Sequence, residues 1–209
     1  MIKTKLKGPV LSNAEGITLI EILVALSIFS LVILIIGMVY VRNLFIFKRE
    51  STYHNLQTSG KVALDKILYD IRSASEAVTT VTEGSKTYNS SSSEIILKVP
   101  ALNSAKEIRY DSGTILYYDY IIYTFDVEGG KIIKNTIINS NSYRSDEDGK
   151  VVVQDVVDSG LSYFSYQPEN PPSDFSQVKA VSLAFRLSKI VKEETLKVDF
   201  QSEAKLRNK

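Results

Sequence analysis

Twenty consecutive residues, Ile22 to Val41, carry no charge, and short of Tyr40 only Ser27 and Ser30 interrupt the apolar run. At 1.5 Å per residue a helix of this length covers roughly 30 Å, the hydrocarbon thickness of a bilayer. A core helix of a soluble protein carries a polar stripe along one side. This run has none, so it reads as a membrane helix, and the rest of the chain must fold with one end tied to a membrane.

Composition narrows the chemistry that remains. The 209 residues leave room for one ordinary domain and an extra segment. Lys and Arg number 25 against 24 Asp and Glu, a net charge of +1, which argues against nucleic-acid binding driven by bulk charge. The absence of cysteine excludes disulfides, thiolate zinc sites, iron–sulfur clusters and cysteine nucleophiles. A single histidine, His54, argues against an imidazole metal site or a Ser-His-Asp triad. No Gly-rich phosphate loop, nucleophile elbow or metal-ligand spacing appears. The expectation is a chain that is not an enzyme, with no catalytic residue, metal or cofactor.

A basic start ahead of an apolar run ordinarily reads as a secretory signal peptide, in which about 7–15 apolar residues precede a small-residue cleavage site. Here the run is longer, and Arg42-Asn43-Leu44-Phe45 follows it. The candidate processing site lies in front instead. Met1 to Gly16 is short and polar, carries Lys3, Lys5 and Lys7, and ends in Ala14-Glu15-Gly16. Ile17-Thr18-Leu19-Ile20-Glu21 comes next. This stretch resembles the prepilin cleavage and methylation motif of type IV pilins and type II secretion pseudopilins. The resemblance implies that a membrane-embedded prepilin peptidase cuts after Gly16 and methylates the new amine of Ile17. It also implies an assembly role for the glutamate at the fifth position, Glu21. Phenylalanine is the family's commonest first residue, so Ile17 is a departure.

Glu21 is anomalous on physical grounds as well, since ionisable groups within apolar helices are costly and usually mark function. It stands about 6 Å along the helix from Ile17. The freed amine of Ile17 on a neighbouring subunit is a positive charge at similar depth, and the resemblance implies that this pairing registers subunits during assembly. The alternative is a carboxylate that snorkels to the headgroups and pairs with nothing. Cations near the two ends of the run tie, Lys3, Lys5 and Lys7 against Arg42, Lys48 and Arg49, so charge does not orient the helix. The resemblance alone places the leader in the cytoplasm and the head outside it.

Past Val41 the residues Leu56, Ala63, Leu64, Ile67, Leu68, Ile71, Ala74 and Val78 recur at helical steps. Lys61, Asp65, Lys66, Asp70 and Arg72 suit the solvated side, and Gly37 and Gly60 are the expected soft points. One long helix is predicted, with a membrane anchor and a separate juxtamembrane helix as the alternative. Thr79 to Ser93 reads as a surface loop. Alternating segments then predict strands at 94–99, 107–110, 117–127, 132–138, 151–157, 161–166, 178–187 and 195–201. Segments 117–127 and 132–138 pair as a hairpin across Glu128-Gly129-Gly130-Lys131. One-sided alternation predicts a mainly antiparallel sheet with one face buried.

The fold class expected is therefore α+β and pilin-like, a long N-terminal helix whose second half packs on a mainly antiparallel sheet. Its parts are a cleaved leader (1–16), a membrane and filament-core helix (17–42), an amphipathic stem (43–78) and a β-rich head (79–209). Leu64-Asp65-Lys66-Ile67-Leu68-Tyr69-Asp70-Ile71-Arg72, Ile108-Arg109-Tyr110 and Leu206-Arg207-Asn208 resemble J-type minor pseudopilins and W-type minor pilins. That likeness implies a minor structural subunit of a type IV pilus-like filament or of a type II secretion or competence pseudopilus. The partners implied are the prepilin peptidase, other pilin or pseudopilin subunits, an assembly ATPase and a platform membrane protein. The place implied is the cytoplasmic membrane, crossed once, and then the filament. A head that binds DNA, sugar or a secreted protein is the alternative. Asp146-Glu147-Asp148 reads as a solvated turn rather than a calcium loop, and Tyr117, Tyr118, Tyr120 and Tyr123 as strand formers rather than a stacking platform.

Overall fold

The computed structural model describes residues 18–207 apart from 109, 112, 113, 159, 161, 162, 171 and 173. Gly16, Ile17, the rest of the leader, Arg109, Leu161 and Asn208 lie outside the described residues. Helix α1 runs Leu19–Ser73 without a break, as expected for one long helix. The chain divides into two units after Phe47.

In the second unit α1 ends at Ser73, ahead of the boundary read at 78, and residues 76–78 are already strand β1 (Glu76–Val78). The sheet captures the backbone there. Ser75 N–H donates to Lys98 O at 2.8 Å, and Ala74 O accepts from Arg207 N–H at 3.1 Å. A five-stranded antiparallel sheet follows in the order β1, β4 (Glu94–Pro100), β7 (Tyr118–Asp126), β8 (Lys131–Ile137), β9 (Lys150–Gln154). The predicted hairpin is β7–β8, in register from Tyr120↔Ile137 to Asp126↔Lys131, and the short strands β5 (Tyr110–Asp111) and β6 (Thr114–Ile115) pair with each other ahead of it. A second sheet is built on β12 (Ala180–Val191). One edge of β12 pairs with β10 (Val156–Val157) and β11 (Phe164–Gln167), and the other with all of β13 (Glu194–Lys205). Asp155, at φ +64°, separates β9 from β10, so the segment read as one strand over 151–157 serves both sheets.

The segment read as a loop, 79–93, contains a hairpin of β2 (Thr80–Glu83) and β3 (Lys86–Asn89) closed by Gly84-Ser85. Gly84 takes φ +58°, which such a turn demands and glycine adopts without strain. Gly-Ser between short alternating runs is a hairpin signature that the serine-rich tract masked. Its consequence corrects a second expectation. The hairpin's Tyr88 packs with Ile96 and Ile122 on one face of the five-stranded sheet, while Ile95, Leu97, Val99, Ile121 and Tyr123 join the main core on the other. The central strands β4 and β7 therefore bury both faces rather than one.

The main core gathers Leu56, Ala63, Ile67, Leu68 and Ile71 of α1 with the inner residues of both sheets, among them Val181, Leu183 and Phe185 of β12. Two residues of the stem differ from their sequence reading. Gly60 is buried, and a methyl group there would fall 2.1 Å from Cζ of Phe200, so it is a close-packing point and not a soft one. Asp70, assigned to the solvated side, is only 6% exposed.

Candidate functional site

In the first unit every residue of α1 from Leu19 to Phe47 is solvent-exposed, and the uncharged run from Ile22 to Val41 within it is apolar on all sides. The helix holds an 18-residue window of mean hydropathy 3.0, none of it buried. The two serines of this run turn back on the helix. Ser27 Oγ donates to Val24 O and Ser30 Oγ to Leu26 O, both at 2.8 Å. Neither serine hydroxyl then asks hydrocarbon for a partner.

Glu21 sits in the first turn, where it completes a capping box. Thr18 N–H donates to Glu21 Oε2 at 2.8 Å and Thr18 Oγ1 to the same oxygen at 3.0 Å. In return Glu21 N–H reaches Thr18 Oγ1 at 3.4 Å. A carboxylate at a helix start also faces the positive end of the helix dipole. The spacing Thr18-x-x-Glu21 was visible in the sequence, but its capping function was not drawn from it. Beside Glu21 the small side chain of Ala25 leaves a hollow flanked by Ile22, Leu26 and Phe29, and a second hollow lies at Gly37 among Met38, Val41, Arg42 and Phe45.

The head holds two ionic clusters. Asp119, fully buried, accepts from Asn139 N–H (2.9 Å), Ser142 Oγ (2.7 Å) and Arg144 Nε (3.0 Å), and Arg144 also donates to Pro100 O at 2.9 Å. The second cluster centres on the acidic turn. Glu147 meets Lys134 at 2.7 Å, Lys66 at 3.6 Å and Lys150, so lysines occupy it. Burial works against its charge, but the hydrogen bonds from Lys134 and Lys150 outweigh that and hold it at about 2. Lys134 Nζ also meets Asp70 Oδ2 at 2.8 Å, where Tyr123 OH donates at 2.6 Å. Burial, then the Asp70 charge, pushes the Tyr123 hydroxyl up from its ordinary value. Among the described residues no group of three or more His, Asp or Glu could hold a metal.

The tyrosines of β7 do not form a platform. Tyr123 is core, Tyr120 packs against the hairpin cluster, and Tyr118 lies under Lys98 Nζ at 4.4 Å. His54 is exposed on α1.

Comparison with known proteins adds one match of family level. Residues 11–37 match the family model described as the prokaryotic N-terminal methylation motif. No curated protein matches the sequence. Among solved structures a type IV-like pilin from Thermus thermophilus aligns with 73% of this chain and 96% of its own, at 8% identity and a TM-score of 0.44.

Proposed function

We infer that this chain, whose residues 11–37 match the N-terminal methylation motif, belongs with the type IV pilins and pseudopilins and is a minor structural subunit of a pilus-like or pseudopilus filament, not an enzyme. The observation that supports this reading is a helix apolar on every side whose one carboxylate within the apolar stretch, Glu21, stands five positions after Gly16. On this reading the prepilin peptidase cuts between Gly16 and Ile17 and methylates Ile17. The helix anchors the subunit once in the cytoplasmic membrane with the head outside, and an assembly ATPase and platform protein later draw it into the filament. Leaving lipid is tolerable only if neighbouring helices cover the same apolar surface, and the hollows at Ala25 and Gly37 suit close helix contacts. Among the described residues the cap engages Glu21 Oε2, and on this reading Oε1 accepts the Ile17 amine of a neighbour.

The test is the intact mass and N-terminal sequence of the full chain expressed with and without a prepilin peptidase. A chain that begins at Ile17 with one added methyl, only when the peptidase is present, is expected. Retention of Met1 to Gly16 in its presence sinks the reading.

A further inference from the structure

We propose that Lys134 and Asp70 join in an intramolecular amide, a self-formed covalent tie between α1 and β8, with Glu147 as the proton carrier. The nitrogen and the carboxyl belong to side chains 7% and 8% exposed, and Lys134 Nζ lies 2.8 Å from Asp70 Oδ2. Glu147 Oε2 stands 2.7 Å from the same nitrogen. Tyr123 OH, 2.6 Å from Asp70 Oδ2, is placed to polarise that oxygen as charge develops on it. Nucleophile, electrophile, proton carrier and oxyanion donor thus converge from α1, β7, β8 and the acidic turn. Lys66 and Lys150 face the same Glu147 from the solvent side and keep a positive field on it.

The ammonium–carboxylate pair and the amine–acid pair differ only in the position of one proton, which passes from Lys134 Nζ to Asp70 across their 2.8 Å contact. In that form the Nζ lone pair bonds to Cγ of Asp70 while the bond from Cγ to Oδ1 breaks. Glu147 takes the proton that the nitrogen sheds and hands it to the departing oxygen, which leaves as water. Nothing is oxidised or reduced, and no co-reactant is consumed. Water ordinarily opposes amide formation, but fixed neighbours react as though at about 10⁵–10⁸ M. The buried pair needs such an explanation, because ion pairs of this kind add little stability over apolar residues of the same size. The tie would carry a pull on α1 into the sheet through a bond, and it stands on the second unit alone, independent of the filament reading.

The test is the intact mass of the full chain in detergent, followed by peptide mapping. The expected result is a loss of one water and a branched peptide that joins Asp70 to Lys134, with no tryptic cut after residue 134. Glu147→Gln and Lys134→Arg should restore the full mass while still melting cooperatively. A folded wild-type chain of full mass, or a water loss that maps elsewhere, overturns the proposal. A branched peptide that survives in Glu147→Gln overturns the role of Glu147.

Discussion

Gly60→Ala should destabilise the head, although alanine is the better helix former. The new methyl carbon would lie 2.1, 2.3 and 2.8 Å from three ring carbons of Phe200. To restore ordinary contact the ring must withdraw by more than an ångström. It has little room, since it stacks on the buried Phe185 at 5.1 Å between centroids. Overpacking of this kind costs about 1–3 kcal/mol, and loss of a stacked aromatic pair about 0.5–1.5 kcal/mol. Helix propensity returns about 1 kcal/mol. The net loss is about 1–3 kcal/mol, or roughly 3–10 °C in Tm for a domain of this size. Urea and thermal melts of the full chain in detergent, followed by far-UV circular dichroism, read it directly. In a Phe200→Ala background the obstacle is gone, and the same Gly60→Ala change should be neutral or stabilising. A wild-type background that tolerates Gly60→Ala, or a loss that Phe200→Ala does not relieve, would refute the packing argument.

Glu21→Ala should leave cleavage at Gly16 intact by mass but reduce recovery of the subunit in sheared filaments; normal incorporation would remove the registration role. Asp119→Ala strips the buried partner from Arg144, which is 22% exposed, and should cost about 3 kcal/mol in urea melts. A loss below about 1 kcal/mol would mean that water replaces the carboxylate. In the chain whose Lys134 keeps its ammonium, the Glu147 carboxyl is depressed from 4.5 to about 2, so its stabilising share is complete above pH 4.5 and declines as pH falls toward 2. Melts between pH 6 and pH 2 should show this decline, and Glu147→Gln should flatten it.

Much of the architecture was legible because it depends on local pattern. An uncharged run long enough to span lipid, a helical stripe from Leu56 to Ile71 and the alternation in β12 and β13 are periodicities that a chain displays in one dimension. The hairpin β2–β3 was obscured because Ser90 to Ser93 weighed the segment toward a loop. The Gly-Ser turn was the cue. Asp70 and Lys134 could not be recognised as buried from pattern, since each is charged and its partners lie on other elements. Asp70 is 53 residues from Tyr123 and 64 from Lys134.

What the sequence alone determined is the membrane-type helix, the N-terminal methylation motif within residues 11–37 and the α+β class. All of these rest on neighbours in the chain. Tertiary structure alone decided that Gly60 is a contact for Phe200, that both faces of β4 and β7 are covered, and that the acidic turn is a lysine-bound anchor. The physical reason is that burial and charge pairing are properties of space. A carboxylate acquires its partner, and a glycine its purpose, only when distant segments close on it.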